Sequence, residues 1–342
     1  MDAGSGKAFM IPIGAYWIRV NRFFGDAMMA YAAIEPLRRA GLPLVFWGPA
    51  HIVDLFAGSA NVVATVAEPS RKYGVWQAAR MLRNHRPAAV IGFPKSARPH
   101  AASLLAGVPF RLGCGDGGVG LLLSHSVAFY QREEHFVERY ASVVKKAFPD
   151  LGPMAFTPFR PSDEAFCKRD AQAAENGFAG EYAVLAPGAN SGSKRLSVPL
   201  FAALGRRLEA EDLGVVILGA GSEDQLLAKE LSSALPRALN LVDRCSLSLS
   251  AAWICGARGL VGMDSGLAHI AAGAGIPTLA VFGPTRPQHS RPWGPHVRVV
   301  RNESLTCLEC MTFQCPLPEH PCMNDLGEDV LWHELSILME AH

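Results

Sequence analysis

The chain has 342 residues, 49% hydrophobic and 18% charged, with a formal net charge of +1. This length fits two domains of about 150 residues better than one core; the balanced charge excludes a dedicated nucleic-acid binder, which carries a basic excess, and no run reaches the roughly 18 to 20 apolar residues that span a bilayer. Residues 1–7 are rich in Gly and Ser, and the apolar run after them contains Pro12 and Gly14 and leads into Arg19, a poor signal peptide and a good first strand, so a cytoplasmic protein with reduced thiols is expected.

Strand-length apolar runs alternate with helix-length periodic segments, the pattern of a parallel sheet with helices on both faces. Strands are predicted near Ile13–Val20, Pro43–Trp47, Val62–Val66, Ala88–Gly92 and Phe110–Gly113, with helices near Gly25–Arg39, Val75–Asn84, Ser96–Ala106 and 133–148. The stretch Phe148–Pro161, with Pro149, Pro153, Pro158 and Pro161, breaks the pattern and reads as a linker. Beyond it come strands Tyr182–Ala186, Gly214–Leu218, Leu260–Met263 and Pro277–Phe282. Helices are expected near Ser162–Asn176, Pro199–Ala210, Glu223–Leu235, Leu249–Gly256 and Gly266–Ala274. The expected fold class is α/β, with two Rossmann-like doubly wound domains facing across a cleft: an acceptor-side domain 1–155 and a donor domain 156–326 that includes a Cys-rich loop 302–325. A C-terminal helix, 327–342, packs on either domain. Ligands in such sheets bind beyond the carboxyl ends of the strands.

Directly after the first strand stands Asn21-Arg22-Phe23-Phe24-Gly25-Asp26. Gly25 permits a tight turn, and Asp26 at the start of the next helix is either its N-cap or a general base. No acidic residue lies between Glu68 and Asp116, whereas Arg71, Lys72, Arg80, Arg83, Arg86, Lys95, Arg98 and Arg111 are basic. That is either a solvated basic surface or a face for an anionic acceptor or anionic lipid headgroups. Arg22, Gly25, Lys95 and Arg98 are the acceptor-side candidates.

The strand ending at Ala186 runs into Pro187-Gly188-Ala189-Asn190-Ser191-Gly192-Ser193-Lys194-Arg195, a Gly and Ser loop whose Lys194 suits a diphosphate. Gly219-Ala220-Gly221-Ser222-Glu223 follows another strand, and Glu223 either accepts ribose hydroxyls or favours a helix start. In Gly262-Met263-Asp264-Ser265-Gly266-Leu267-Ala268-His269 a strand gives way to a helix whose free N–H groups attract an anion. Asp264 beside it would repel a phosphate, so a hydroxyl-rich group next to the phosphate is its expected partner; a nucleotide diphosphate sugar supplies both.

Gly25-Asp26, Lys194, Asp264-Ser265-Gly266-Leu267-Ala268-His269 and Gly283-Pro284-Thr285 together resemble glycosyltransferase family 9, the bacterial heptosyltransferases of the lipopolysaccharide inner core, over nearly the whole chain. The resemblance implies a GT-B fold and an inverting, metal-independent transfer of heptose from ADP-heptose to a lipopolysaccharide core or related glycan acceptor at the inner face of the cytoplasmic membrane. It implies Asp26 as base, Lys194 and the N–H groups of Ser265 and Gly266 on the diphosphate, Asp264 on sugar hydroxyls, Glu223 on the ribose, and Val242 to Cys245 bordering the base. Leu267 and His269 belong to the same donor motif, and His269 either approaches the phosphates or fills core space. Phe23-Phe24 and the Gly-rich stretch 115–120 depart from the family's commoner residues on the acceptor side. Alternatives are another nucleotide sugar or a protein acceptor on the same fold, a nucleotide-sugar 2-epimerase, and a non-enzymatic two-lobed binding protein.

Cys307, Cys310, Cys315 and Cys322 form a C-x2-C-x4-C-x6-C pattern in a Pro-rich loop. In a reducing compartment it suits a structural zinc or iron site, with disulfides formed in air or inert thiols as the other readings. No cofactor is expected for catalysis.

Overall fold

The computed structural model describes residues 11–20, 22–68, 74–93, 97–128 and 134–342. By contacts the chain divides into two compact units, the first comprising Met1–Arg22, Ala33–Arg132 and Glu138–Ala155, the second Phe23–Ala32, Glu133–Val137 and Phe156–His342.

The described strands of the first unit are β1 (Tyr16–Arg19), β2 (Leu44–Gly48), β3 (Val62–Ala67), β4 (Ala89–Gly92), β5 (Phe110–Cys114) and β6 (His125–Val127), all parallel, in the order β3-β2-β1-β4-β5-β6. Between them run α1 (Phe24–Ala33), α2 (Glu35–Arg39), α3 (Ala50–Val53), α4 (Val75–His85) and α5 (Ala97–Leu105), followed by α6 (Phe136–Ala147). The one helix expected over Gly25–Arg39 is two, because Pro36 has no N–H to donate back into a continuous helix and takes a first-turn position of α2 instead. Central strands β2 and β4 are buried at every residue, as befits a parallel sheet covered on both faces.

The second unit repeats the scheme. Its strands β7 (Tyr182–Ala186), β8 (Gly214–Ile217), β9 (Leu239–Asn240), β10 (Gly259–Met263), β11 (Thr278–Val281) and β12 (Val297–Val300) are parallel in the order β12-β11-β10-β7-β8-β9. Counted from β7 this is the same 3-2-1-4-5-6 order as in the first sheet, the doubly wound arrangement predicted from the alternating pattern. The helices are α7 (Asp163–Glu175), α8 (Val198–Ala210), α9 (Ser222–Ala234), α10 (Leu247–Cys255), α11 (Gly266–Ala274), α12 (Pro287–Ser290), α13 (Pro321–Asn324) and α14 (Glu328–Glu340). The last of these packs on the second unit, where Leu331, Leu335 and Met339 join its core. Strands β6, β9 and β12 were not anticipated, being short and at sheet edges, where two to four residues carry no readable period.

Candidate active site at the strand ends of the second unit

In a 3-2-1-4-5-6 sheet the strand order reverses between the first and fourth strands, and the diverging connections leave a crevice at their carboxyl ends. In the second unit these strands are β7 and β10, paired from Gly259–Ala183 to Gly262–Ala186. The loop after β7 carries Lys194 and the turn after β10 carries Asp264. Lys194 Nζ donates to Asp264 Oδ2 at 2.5 Å, with side chains 22% and 11% exposed, so the pair is sheltered but reachable. One residue on, Ser265 is the N-cap of α11 yet makes no side-chain cap bond, and its buried Oγ has no partner. Buried polar atoms are normally satisfied, so an idle capping serine beside unpaired helix N–H groups is an opening for an anion. The buried Thr285 Oγ1, after β11, and Arg195 Nε, after β7, are likewise unpartnered.

The first helix after β1 completes the arrangement. The segment Phe23–Ala32 groups by contacts with the second unit, although it was expected in the first domain. Glycines make this possible: a Cβ on Gly25 would lie 3.1 Å from His269 Cδ2, one on Gly266 would overlap the Phe24 ring, and one on Gly273 would press on Met28. Helix α1 begins at Phe24, so Asp26 sits inside the first turn and is not the N-cap. His269, 5% exposed, lies within electrostatic reach of both Asp26 and Asp264. Burial holds its imidazole below the ordinary value, the two carboxylates pull the other way, and Lys194 adds to the depression. The two readings of His269 thus merge, for it is a core histidine that abuts the site.

Four side chains not singled out from sequence, those of Ser193, His320, Asp224 and Asp243, hold the loops in place. Buried Ser193, next to Lys194, donates through Oγ to Thr312 O at 2.6 Å and through N–H to Phe313 O at 3.4 Å; His320 Nε2 donates to Ser193 O at 2.7 Å. The Cys-rich loop is therefore fastened to the turn that carries Lys194. Asp224 accepts from Ala220 N–H at 3.0 Å, and its carboxylate occupies the space a Cβ would need at Gly188 or Gly219, which explains both glycines. Burial raises the Asp224 carboxyl above its usual range, against the pull of Ala220 N–H and Arg195. Asp243 accepts from Gly221 N–H at 2.8 Å and from Gln225 Nε2 at 2.6 Å. Nothing local in the sequence marks these contacts, which join positions up to 127 residues apart.

Of the remaining expected residues, Glu223 is bonded to Arg195, and Leu267 is half-buried in the first turn of α11. Val242 is 7% exposed and part of the core, while the Cys245 thiol donates to Gln172 Oε1 at 3.4 Å and is pushed up to about 11 by burial. In the first unit Arg22 is exposed, and Arg98 lies 3.5 Å from Glu68, which also binds Arg19 at 3.1 Å. Lys95 lies outside the described residues. The four clustered cysteines are free thiols, and among the described residues no group of three or more His, Cys, Asp or Glu is arranged to hold a metal. Cys322 is buried against Gly283, Cys307 and Cys310 are exposed, and the other three cysteines all lie within electrostatic reach of the Cys322 thiol, which burial pushes up to about 11.

Two doubly wound units in one chain, with an ion pair and an open helix start at the switch point of the second, define a protein of the GT-B class. The solved ADP-heptose LPS heptosyltransferase II of Escherichia coli superposes with a TM-score of 0.79 at 20% identity, covering 96% of this chain and 99% of that one. An E. coli heptosyltransferase solved with ADP gives 0.70 at 17% identity, covering 95% and 99%. The lipooligosaccharide heptosyltransferase 2 of Campylobacter jejuni is 30% identical over 164 residues, 46% of this chain and 51% of that protein, so the chain matches about half the length of this relative. The profile of glycosyltransferase family 9 (heptosyltransferase) matches residues 75–320, and the chain belongs to that family. Among the described residues no helix is long and apolar enough to cross a membrane.

Proposed function

We propose that the protein transfers heptose from ADP-heptose to a lipopolysaccharide core or related glycan acceptor, with inversion and without a catalytic metal. The observation that carries this reading is the Lys194–Asp264 pair beside the uncapped start of α11. Cation and carboxylate lie side by side, matching a ligand in which a diphosphate adjoins a polyhydroxylated sugar. The diphosphate draws Lys194 and the N–H groups of Ser265 and Gly266, freeing Asp264 to accept from sugar hydroxyls. Glu223, carried at the first turn of α9, takes the ribose hydroxyls.

In the reaction an acceptor hydroxyl oxygen attacks the anomeric carbon from the face opposite the nucleotide. The bond from that carbon to the diphosphate oxygen breaks, the electron pair leaves with ADP, and the acceptor proton passes to Asp26. Charge grows on the leaving oxygen, where donors already in place are worth several kcal/mol of barrier. His269 is buried within electrostatic reach of Asp26, and burial disfavours its charged form. ADP in one solved heptosyltransferase structure and ADP-2-deoxy-2-fluoro heptose in another accord with the choice of donor.

A thermal-shift screen with ADP, UDP and GDP sugars, followed by mass analysis of acceptor glycans, tests the reading. Stabilisation by ADP sugars and a heptose mass added to the acceptor are expected. Stabilisation by UDP sugars alone overturns the donor assignment, and turnover of donor without acceptor points to an epimerase.

A further inference from the structure

The turn Gly283-Pro284-Thr285 after β11 holds a buried polar atom that the transfer reaction leaves unused. Thr285 is 8% exposed, and its Oγ1 is covered and has no hydrogen-bond partner. A buried hydroxyl without a partner destabilises the folded chain, so it points to a state in which a ligand supplies one. The turn is also tied to the donor loop. Glu309 N–H donates to Gly283 O at 3.2 Å and Met311 N–H to Pro284 O at 2.8 Å, while Thr312, the next residue, accepts through O from Ser193 Oγ at 2.6 Å. One short segment therefore stitches the turn of Thr285 to the turn of Lys194, and all of these residues belong to the second unit.

Strand order decides which part of a ligand meets Thr285. The sheet runs β11-β10-β7-β8, with Val281 beside Met263, Gly262 beside Ala186 and Leu185 beside Ile217. Past β8 stands Glu223, past β7 Lys194, past β10 Asp264 and Ser265, and past β11 Thr285. Neighbouring strands lie about 4.8 Å apart, so these four turns span about 14 Å. An elongated donor with its ribose at Glu223 and its diphosphate at Lys194 and Ser265 carries its sugar toward β10 and β11.

We propose that Thr285 is a sugar-binding residue, whose Oγ1, brought out by rotation of χ1 to another staggered position, hydrogen-bonds a hydroxyl of the transferred sugar. The inference rests on the donor reading of the site and adds to it a residue that reads the sugar. Asp264, as a carboxylate, only accepts hydrogen bonds, whereas a threonine hydroxyl both donates and accepts. The two side chains together distinguish a polyhydroxylated sugar from a bare diphosphate.

Calorimetry with ADP and with ADP-heptose on wild type, Thr285→Val and Thr285→Ser tests this. In Thr285→Val the affinity for ADP-heptose should fall about five-fold, as loss of one neutral hydrogen bond implies, with the affinity for ADP unchanged. Thr285→Ser keeps the hydroxyl and should bind ADP-heptose more tightly than Thr285→Val. Without ligand, Thr285→Val should melt no lower than wild type, because an apolar group of nearly the same shape replaces a hydroxyl that had no partner. The inference is overturned if Thr285→Val binds ADP-heptose like wild type, if it loses ADP to the same extent, or if Thr285→Ser does no better than Thr285→Val. A lower melting temperature with donor binding unchanged marks a structural hydroxyl and overturns it too. Wild type that binds neither ADP nor ADP-heptose overturns the donor reading itself, an outcome distinct from every failure seen only in the variants.

Discussion

Lys194 and Asp264 meet in a 2.5 Å ion pair at the carboxyl ends of β7 and β10, the two neighbouring strands between which the second sheet reverses its order. Seventy residues separate them in the chain, and the sheet alone brings them together. Replacing Lys194 with Met leaves the Asp264 carboxylate partly buried without its cation, a loss of about 1 to 3 kcal/mol for a charged hydrogen bond. The variant should unfold at lower temperature, and calorimetry should find ADP bound at least about ten-fold more weakly, as loss of a phosphate cation implies. Unchanged ADP affinity would remove Lys194 from the donor site.

Asp26→Asn keeps the size of the side chain and removes the proton acceptor. Transfer should fall by about two to four orders of magnitude, the usual contribution of a positioned base, while ADP affinity and melting temperature stay near wild type. Near-normal turnover of this variant would mean that another group takes the proton.

The Phe24–Gly266 contact sets where Asp26 lies. Gly266→Ala places a methyl group where the Phe24 ring stands and should cost about 1 to 3 kcal/mol, in the range of overpacked sites. Adding Phe24→Leu should recover part of that loss, and a double-mutant cycle on denaturation midpoints reads the coupling. Strict additivity of the two substitutions would argue against the contact.

Stability should decline as pH falls from about 6.5 to about 4. His135 donates through Nε2 to Arg291 O at 2.9 Å and accepts from Val137 N–H through Nδ1 at 3.1 Å, a pattern open only to the neutral ring. Burial pushes it, and separately His100, down to about 4, against an ordinary value of 6.5. His100 has no hydrogen bond of normal geometry at either nitrogen, although the nearby Gly92 carbonyl favours the protonated ring. Both bind protons more readily when unfolded, so their stabilisation is complete above 6.5 and is lost on acidification, by up to roughly 3 kcal/mol each. His135→Gln, which can make the same two bonds, should flatten the dependence of urea midpoint on pH; an unaltered slope would count against it.

Ser193→Ala and His320→Ala should loosen the turn that carries Lys194. Each hydrogen bond contributes about 1 kcal/mol net, so KM for the donor should rise several-fold while kcat changes less. Equal loss in kcat and in kcat/KM would place these residues in the chemical step instead.

The doubly wound scheme was legible in the sequence because buried parallel strands leave continuous apolar runs, and because Gly and Ser turns mark where those strands end. The turns after β7 and β10 were legible for the same reason, and Lys194, Asp264 and Ser265 stand in them. The split of the first long helix at Pro36 followed a rule the sequence displays, yet the nearly continuous apolar run before it concealed the break. Edge strands β6, β9 and β12 left too few residues for any pattern.

By itself, then, the sequence determined the two parallel sheets and the Gly and Ser turns that follow their strands, since periodicity and turn chemistry act over a few neighbouring residues. Only the tertiary structure decided that α1 groups with the second unit, that His269 is buried beside Asp26 and Asp264, and that Ser193 is fastened by Thr312 and His320. Such contacts depend on glycines that permit close approach and on partners more than a hundred residues away. No local preference encodes them, because their free energy exists only once both sheets have formed.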